Sequence, residues 1–498
     1  MTIFKKKRNL CACLFLALAG LFASCSSSNP YARLDDAVMN DEFAQGLTVI
    51  DGSFAEGGEP IYDAEADETG GFTGGDVISL LLDKGLVAHY AALKGQAVPD
   101  KGPVDFKTSA ESLKDAETKI EEAAAGSKAQ SLLTFIVNDK SKDYAGEVYE
   151  DIYLTIFNAL NYYQQGDLDN CIALARSVSE KITAYSDAAG KSLDVPADSG
   201  DGAGEEDGAL AAAIGQVMDS VKSGFNAILA NAYKALGAGE KPVEFSNSAL
   251  ANYLAALAYR AKGDAGSSRV SFDNLNKAYK DAPEIYKNSP PASLAEELTV
   301  PGGKARLNVL AFAGVSPVKQ EVEVPAPLPA ALFPLVGAKG PVTLLVPALV
   351  ERTIPPENIK ISVSVENGPS FELELLEDMV AVTKGVFRAK LPGLLFKTYL
   401  RVTAKCIAVE AAAKKSGNAL AQTAAIAGGM AAINATEGAD TRMGRYFPAY
   451  AYAGGVTLDP GTYTLTVKYS NGYSFKKENV EVKAGGLNLV EAVSVNRK

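Results

Sequence analysis

The chain has 498 residues, with 60 acidic and 48 basic side chains and a net charge of −12 at pH 7. One hydrophobic core rarely supports this length, so we expect two or more domains. The acidic balance argues against nucleic-acid binding and against broad electrostatic attraction to anionic lipid. Any Ser-His-Asp triad or zinc site would have to use His89, the single histidine, so we expect no metal and no cofactor.

The first thirty residues indicate export and lipid attachment. Residues 5–8 are basic, and residues 10–22 are apolar but too few to span a bilayer, which takes about 20 residues. Small residues stand directly before Cys25, as in a bacterial lipobox. We therefore predict a lipoprotein signal peptide over 1–24, lipidation of Cys25 and a tether over 25–30. An ordinary cleaved signal and an uncleaved anchor are the alternatives.

Residues 31–290 show mainly helical periodicity, and two stretches resemble tetratricopeptide repeats. Each has a small residue and a tyrosine on its first helix, followed by a Gly-Asp turn. The matching tyrosines are 97 positions apart, so the repeats do not form a tight array with a 34-residue period. We predict a tetratricopeptide-like α-solenoid with these repeat positions: Ala159, Tyr162, Gly166 and Cys171 in one copy, and Ala256, Tyr259 and Gly263 in the other.

Residues 186–208 interrupt the helical pattern with an acidic stretch rich in Gly, Asp and Ala and nearly free of large apolar side chains. This composition favours a flexible, solvated loop. A partner-binding arm is the alternative interpretation.

The pattern changes after residue 290. Alternating and short apolar runs, with turn signals at Asp459-Pro460-Gly461 and Asn471-Gly472, predict strands over much of 303–498. An Ala-rich helical pattern covers 378–436. We therefore predict an α+β fold, in which the helical domain is followed by a mainly antiparallel β-domain with a long helical insertion.

Six groups of residues occur in one order along the predicted folded part of the chain. They are Leu81–Gly85 with His89-Tyr90, Tyr144–Glu150, Asn158–Tyr162 with Gly166-Asp167, Gly314–Lys319, Leu391-Pro392 with Arg401 and Lys405, and Gly438–Arg442 with Phe447-Pro448. This order resembles a family of bacterial lipoproteins of unknown function that join tetratricopeptide-like helices to a C-terminal β-domain. The resemblance implies an extracytoplasmic lipoprotein and an association with cell-wall synthesis. Met443-Gly444 stands where the family has a tryptophan.

One predicted helix carries a stripe of cations. Lys397, Arg401 and Lys405 are spaced four residues apart, so their side chains share a helix face. The stripe could bind an anionic ligand, a glycan carboxylate or an acidic partner. Salt bridges to the chain's own acids, for example Asp440 or Glu410, are the interpretation that we favour.

Other candidate residues have structural interpretations. Asp440 suits a turn cap, and Arg442 suits an ion pair with a carboxylate. We expect His89 to be a packed helix residue, and Cys171 and Cys406 to be buried apolar residues rather than a disulfide.

These patterns favour a non-enzymatic protein-interaction scaffold of the cell envelope. We expect it to be anchored by lipid (palmitate) in the outer membrane, because Ser26 rather than Asp follows Cys25, and to bind an envelope protein partner. Two alternatives stay open: envelope-glycan binding or hydrolysis by paired carboxylates, and a structural part in surface or secretion assembly. The oligomeric state does not follow from the sequence.

Overall fold

The computed structural model describes residues 31–53, 76–126, 144–189, 225, 228–234, 245, 247–328, 334–337 and 341–495. Over these residues the chain is a mixed α/β protein, so the predicted combination of helices and strands is confirmed. The signal peptide predicted over 1–24, the lipidated Cys25, the tether over 25–30 and residues 190–208 of the acidic segment lie outside the described residues.

The helices of the N-terminal part follow one another in packed pairs. They are α1 (Ala32–Met39), α2 (Phe43–Asp51), α3 (Val77–Leu93), α4 (Phe106–Gly126), α5 (Val148–Gln164), α6 (Leu168–Ala189), α7 (Ala249–Ala261) and α8 (Ala265–Asp281). Helices α3 and α4, α5 and α6, and α7 and α8 form pairs, and adjacent pairs touch through α4 with α5 and α6 with α7. A short hairpin of β1 (Ala97–Val98) and β2 (Gly102–Pro103) joins α3 to α4.

Helix starts follow from local sequence. Glu147 and Glu150 form a capping box at the start of α5, and the Ser248 side chain accepts the amide of Ala251 at the start of α7. Such caps satisfy amides that have no partner within the helix. Helix α6 continues to Ala189, so residues 186–189 of the predicted loop are helical, because this part of the segment contains good helix formers.

A seven-stranded sheet forms the C-terminal part. Its strands are β3 (Ala305–Val315), β6 (Ile361–Val365), β7 (Ser370–Asp378), β8 (Pro448–Leu458), β9 (Gly461–Tyr469), β10 (Ser474–Val482) and β11 (Leu489–Ser494). The order across the sheet is β10-β9-β6-β7-β8-β3-β11, and only the β3–β11 pair is parallel. The sheet curls until it is nearly closed, with β10 lying near β3.

The two faces of this sheet bury different neighbours. Leu310 and Phe312 of β3 belong to the core shared with the helices, whereas Val309 and Ala311 belong to the core inside the curled sheet. Alternate side chains of a strand point to opposite faces, which explains this division. β3 is therefore buried along its whole length.

A third core lies in the insertion. Strands β4 (Val318–Ala326) and β5 (Val342–Val350) form a separate two-stranded sheet that packs with α9 (Met379–Lys414) and α10 (Ala419–Thr436). The Tyr399 hydroxyl donates to the carbonyl oxygen of Pro327 at 2.9 Å and ties α9 to the end of β4. No described helix, the Ala-rich α10 included, combines the length and apolar character needed to cross a membrane.

Candidate functional site

The two Gly-Asp turns that the sequence singled out have one geometry. α5 ends at Gln164, and Gly166 follows it with a φ of +82°, in the left-handed region that favours glycine. The amide of Asp167 donates to the carbonyl oxygen of Tyr162 at 2.9 Å, and the amide of Gly166 donates to that of Tyr163. These two bonds form a Schellman motif. The turn around Gly263, with φ +76°, has the same pair of bonds.

The aspartate of each turn also begins the next helix. Asp167 Oδ1 accepts the amide of Asn170 at 3.1 Å, and Asp264 Oδ1 accepts the amide of Ser267 at 2.9 Å. An N-cap carboxylate satisfies a free amide and interacts favourably with the helix dipole. Gly-Asp therefore ends one helix and starts the next within two residues.

The small residues of the repeats lie where paired helices pack. Ala159, Cys171 and Ala256 are fully buried, whereas Tyr162 and Tyr259 are partly buried against the same core. Small side chains allow close approach of the helices. Burial raises the pKa of the Cys171 thiol to about 12, so the thiol is a packing group rather than a nucleophile.

Helices α3, α5 and α7 are the inner helices, because they face the sheet. From α5, the Tyr153 hydroxyl donates to Glu377 of β7 at 2.8 Å, and the Tyr163 hydroxyl donates to the carbonyl oxygen of Leu489 in β11 at 2.6 Å. Helices α4, α6 and α8 are the outer helices of the pairs, although the Tyr279 hydroxyl of α8 also donates to the carbonyl oxygen of Leu376 in β7 at 2.7 Å. The helix face that could have formed a peptide groove is therefore occupied by the chain's own β-domain.

Glu377 is a buried anion site made of neutral donors. Its carboxylate accepts the hydroxyls of Tyr153, Ser248 and Tyr286 and the backbone amide of Leu250, at 2.8 to 3.2 Å. Burial raises the pKa of Glu377, and the four donors oppose that rise. The carboxylate links β7 to the N-terminus of α7.

His89 forms the matching contact between α3 and β11. The Ser109 hydroxyl donates to the carbonyl oxygen of Gly85 and accepts Asn161 Nδ2, so Asn161 Oδ1 faces His89 Nδ1 at 2.7 Å. His89 Nε2 lies 2.5 Å from Glu491 Oε1. Both ring nitrogens therefore face acceptor oxygens, an arrangement that suits the protonated imidazolium.

The charge of this ring is stabilised by its partner. Burial lowers the pKa of His89, but the charge and hydrogen bond of Glu491 outweigh burial and raise it above the usual value. Because both nitrogens are occupied, His89 is not available as a general base or as a metal ligand. The residue is packed, as expected from its helix, and it also carries a buried ion pair.

Two of the three cations of the stripe on α9 pair with one acid of the chain itself. Arg401 Nη2 lies 3.0 Å from Glu437 Oε2, and Lys405 Nζ lies 2.6 Å from Glu437 Oε1. The acid is Glu437 at the end of α10, in place of Asp440 or Glu410. Lys397 is exposed and has no ion-pair partner among the residues that the structure describes.

Asp440 and Arg442 pair with each other. Asp440 Oδ1 accepts the backbone amide of Arg442 at 3.1 Å and its Nε at 2.9 Å. The guanidinium also lies 5.7 Å from the ring centre of Tyr144, and the carbonyl oxygen of Arg442 accepts Lys319 Nζ at 3.2 Å. Asp440 and Arg442 lie within residues 437–447, which we call the junction loop.

The junction loop joins the insertion to both inner helices. The amide of Gly444 donates to Glu150 Oε1 and the amide of Arg445 donates to Asp83 Oδ1, each at 2.6 Å. A Cβ at Gly444 would lie 2.9 Å from the ring of Phe447, which excludes larger residues there. Asp83, Glu150 and Lys319 come from three of the sequence groups that resemble the lipoproteins, and all three contact this loop, which contains a fourth group.

Two neighbouring carboxylates beside the junction loop titrate in opposite directions. Burial raises the pKa of Glu147, but Lys319 at 2.5 Å and Lys390 at 2.6 Å outweigh it and lower the pKa to about 2. Burial and the charge of Glu147 raise the pKa of Glu150 to about 7. Glu150 accepts only neutral donors, among them the Tyr144 hydroxyl at 2.6 Å.

The first described helix is fastened to the same loop. Asp35 of α1 lies 2.6 Å from Arg445 Nη2 and 3.3 Å from Arg352 Nη1, and it accepts the Tyr446 hydroxyl at 2.8 Å. The guanidinium of Arg445 also stacks over the ring of Tyr31 at 4.2 Å. The chain therefore enters its fold beside the junction loop.

The sequence did not reveal Glu377, Glu437 and Glu491 as the partners at these contacts. One signal was present for Glu491, which is a lone acid in the otherwise apolar strand β11. An acid in a buried strand requires a partner, but its identity depends on the tertiary fold.

The described part of the chain has few side chains placed for metal binding or for thiol chemistry. No group of three or more His, Cys, Asp or Glu side chains there is arranged to hold a metal ion, and Cys171 and Cys406 are both buried and unpaired. The chain matches no family model, no curated protein and no solved structure. The geometry and the motifs therefore carry the functional argument.

Proposed function

We propose that the chain is a lipid-anchored, extracytoplasmic protein that acts as a non-enzymatic scaffold for a protein partner in the cell envelope. The observation that carries this proposal is the set of buried polar contacts that fix the inner helices and α1 to the β-domain. They connect the inner helices and α1 to the strands and to the junction loop. A helical array fixed to a sheet in this way and held on a tether suits the presentation of a surface to a partner.

The paired helices are tetratricopeptide-like repeats in this proposal. The shared Schellman turns, the small residues at the helix contacts and the tyrosines at matching positions support this assignment. Repeats of this class create extended surfaces that bind partners. The sequence resemblance to envelope lipoproteins supports a link to cell-wall synthesis.

The outer helices are the surface that we assign to the partner. Helix α8 exposes a polar face in which Val270 is an apolar side chain with 58% of its surface accessible. Val270 is the exposed position through which this assignment can be tested. The inner face is not available, because it packs on the sheet.

In-cell crosslinking with affinity capture tests the proposal. We expect a tagged wild-type chain to capture one dominant envelope protein, whereas Val270→Asp loses that protein although the variant folds and is exported. Cys25→Ala should lose both acylation and the partner. A wild-type chain that is acylated but captures no specific partner would contradict the scaffold. A partner from surface or secretion machinery would assign the scaffold to that assembly instead of cell-wall synthesis.

A second candidate function is carboxylate-dependent glycan hydrolysis. The opposite pKa shifts of Glu147 and Glu150 favour it, because a glycosidase needs one ionised and one protonated carboxyl group near neutral pH. The capping role of both residues at α5 argues for a structural function instead. Digestion of purified envelope glycan by the wild type, lost in Glu150→Gln, would support hydrolysis; an inactive wild type would exclude it.

A further inference from the structure

We propose that residues 350–354, which we call the anchor-proximal loop, form the surface that contacts the membrane. The occupant is the apolar and interfacial layer of a lipid bilayer. This inference rests on the proposed function, since it requires that lipid on Cys25 holds the chain at the membrane. It adds which side of the folded unit faces the lipid.

The anchor-proximal loop exposes apolar side chains. Val350 is 37% accessible and Ile354 is 46% accessible, whereas most large apolar side chains of the described chain are buried. Val270, Leu298 and Leu420 are the other large apolar side chains that the described residues expose, and they lie in separate segments of the chain. Val350 is the last residue of β5, and Ile354 lies four residues later, in the loop that follows this strand.

The loop is held rigidly. Arg352, in its centre, is buried, and its guanidinium donates to the carbonyl oxygens of Ser316 and Arg445 and pairs with Asp35. The Tyr452 hydroxyl donates to the carbonyl oxygen of Pro356 at 3.0 Å, just after the loop. A fixed backbone that exposes two apolar side chains loses little conformational entropy when it binds a surface.

The predicted lipid lies close to this loop. Cys25 is separated from Tyr31 by the short stretch 26–30, which reaches at most about 20 Å when extended. Asp35, one helical turn after Tyr31, pairs directly with Arg352 of the loop. The anchor therefore confines the loop to the neighbourhood of the bilayer and gives it a high effective concentration there.

Charge around the loop does not oppose this contact. The carboxylate of Glu351 pairs with Lys384, and that of Asp35 pairs with Arg352 and Arg445. Glu357 and Lys360, both exposed just after the loop, carry opposite charges. Paired charges and exposed aliphatic groups fit the interfacial layer of a membrane, where residues of both kinds reside.

Fluorescence provides a direct test, because the chain has no tryptophan. Ile354→Trp would introduce the only indole into the acylated protein, which is then reconstituted in phosphatidylcholine vesicles with and without brominated acyl chains. We expect a blue-shifted emission and at least about twofold stronger quenching by brominated lipid than in two controls. The controls are Val270→Trp on α8 and Leu420→Trp, at the end of α10 that lies about 27 Å from the junction loop by helix rise.

Every outcome decides the inference. Mass spectrometry of the same samples establishes acylation of Cys25, and Val350→Trp provides a second reporter if Ile354→Trp does not fold. Acylated protein with equal quenching at all positions, or with strongest quenching at Leu420→Trp, overturns the anchor-proximal loop as the membrane surface and leaves the scaffold intact. Absence of acylation overturns both the lipid-anchored function and this inference.

Discussion

Two contacts between the inner helices and the sheet each bury a carboxylate, and they stabilise it in different ways. Glu491 of β11 faces one cation, His89, whereas Glu377 of β7 is surrounded by three hydroxyls and one backbone amide. In the first contact a single partner carries the compensating charge. In the second contact, four neutral donors together stabilise the carboxylate of Glu377, so the loss of one donor has a limited effect.

The capping box of α5 repeats this contrast within one helical turn. Glu147 contacts two lysines, and its pKa falls to about 2; Glu150 accepts neutral donors, and its pKa rises to about 7. Cations therefore keep a buried carboxylate ionised, and neutral donors only partly offset its loss of hydration. The two carboxylates also differ in exposure, since Glu150 is fully buried and Glu147 keeps 12% of its side chain accessible.

His89→Ala should have the largest effect, because it leaves the carboxylate of Glu491 buried without its cation. We expect the free energy of unfolding to fall by about 3–5 kcal/mol in urea denaturation at neutral pH. Gln164→Ala is the matched control, since Gln164 donates to the other oxygen of Glu491 at 3.1 Å; it should cost about 1 kcal/mol. Equal losses in both variants would contradict a special role for the cation.

Glu377→Ala should follow, with a loss of about 2–4 kcal/mol, because it leaves four donors without their common acceptor. Glu372→Ala, an exposed position in the same strand, should change stability by less than about 0.5 kcal/mol. Urea denaturation midpoints of Glu377→Ala, Glu372→Ala and the wild type measure these losses of stability. A loss as small as that of Glu372→Ala would mean that water replaces the carboxylate without cost.

Glu150→Gln should alter the pH dependence of stability. Folding raises the pKa of Glu150 from 4.5 to about 7, so its contribution is fully present below pH 4.5 and is lost as the pH rises through 7. From pH 4.5 to above pH 7, the variant should gain up to about 3 kcal/mol relative to the wild type.

Glu147→Gln should show the opposite dependence. Its lowered pKa contributes stability that is present above pH 4.5 and lost as the pH falls toward 2. Urea denaturation at a series of pH values measures both variants. Parallel profiles for Glu147→Gln and Glu150→Gln would refute the contrast between cations and neutral donors.

Tyr153→Phe should have the smallest effect, about 1 kcal/mol, because Glu377 keeps its other donors. Tyr162→Phe in the same helix is the control, since the Tyr162 hydroxyl has no hydrogen bond among the described residues, and it should be nearly neutral. Thermal unfolding of the two variants measures the difference. A loss of stability in Tyr153→Phe as large as in Glu377→Ala would show that Tyr153 alone, and not the four donors together, stabilises the carboxylate of Glu377.

The features that the sequence predicted are those set by neighbouring residues. The Gly166-Asp167 and Gly263-Asp264 turns are local, because a left-handed glycine and a following N-cap need only adjacent residues. The alternation of apolar residues predicted the strands. Spacing by four placed Arg401 and Lys405 on one helix face, as the structure has them.

The contacts between distant segments were not predictable in this way. Glu437 rather than Asp440 or Glu410 meets the cations of α9, because the end of α10 fixes its position. The pairing of strands shows the same limit. The sequence predicted β4 and β5 as strands, but it did not indicate that they form a sheet separate from the seven-stranded one. Such choices depend on which elements pack together, and periodicity contains no information about the partner.

The contact between His89 and Glu491 also bears on how the chain reaches its fold. The two residues are 402 positions apart, and Asp35 and Arg445 are 410 positions apart. Folding rates fall as native contacts become more distant in sequence. An N-terminal half that emerges first must wait for the last strand before its inner helices can bury their polar groups. Loss of β11 would thus leave helices about four hundred residues upstream open to proteases and aggregation.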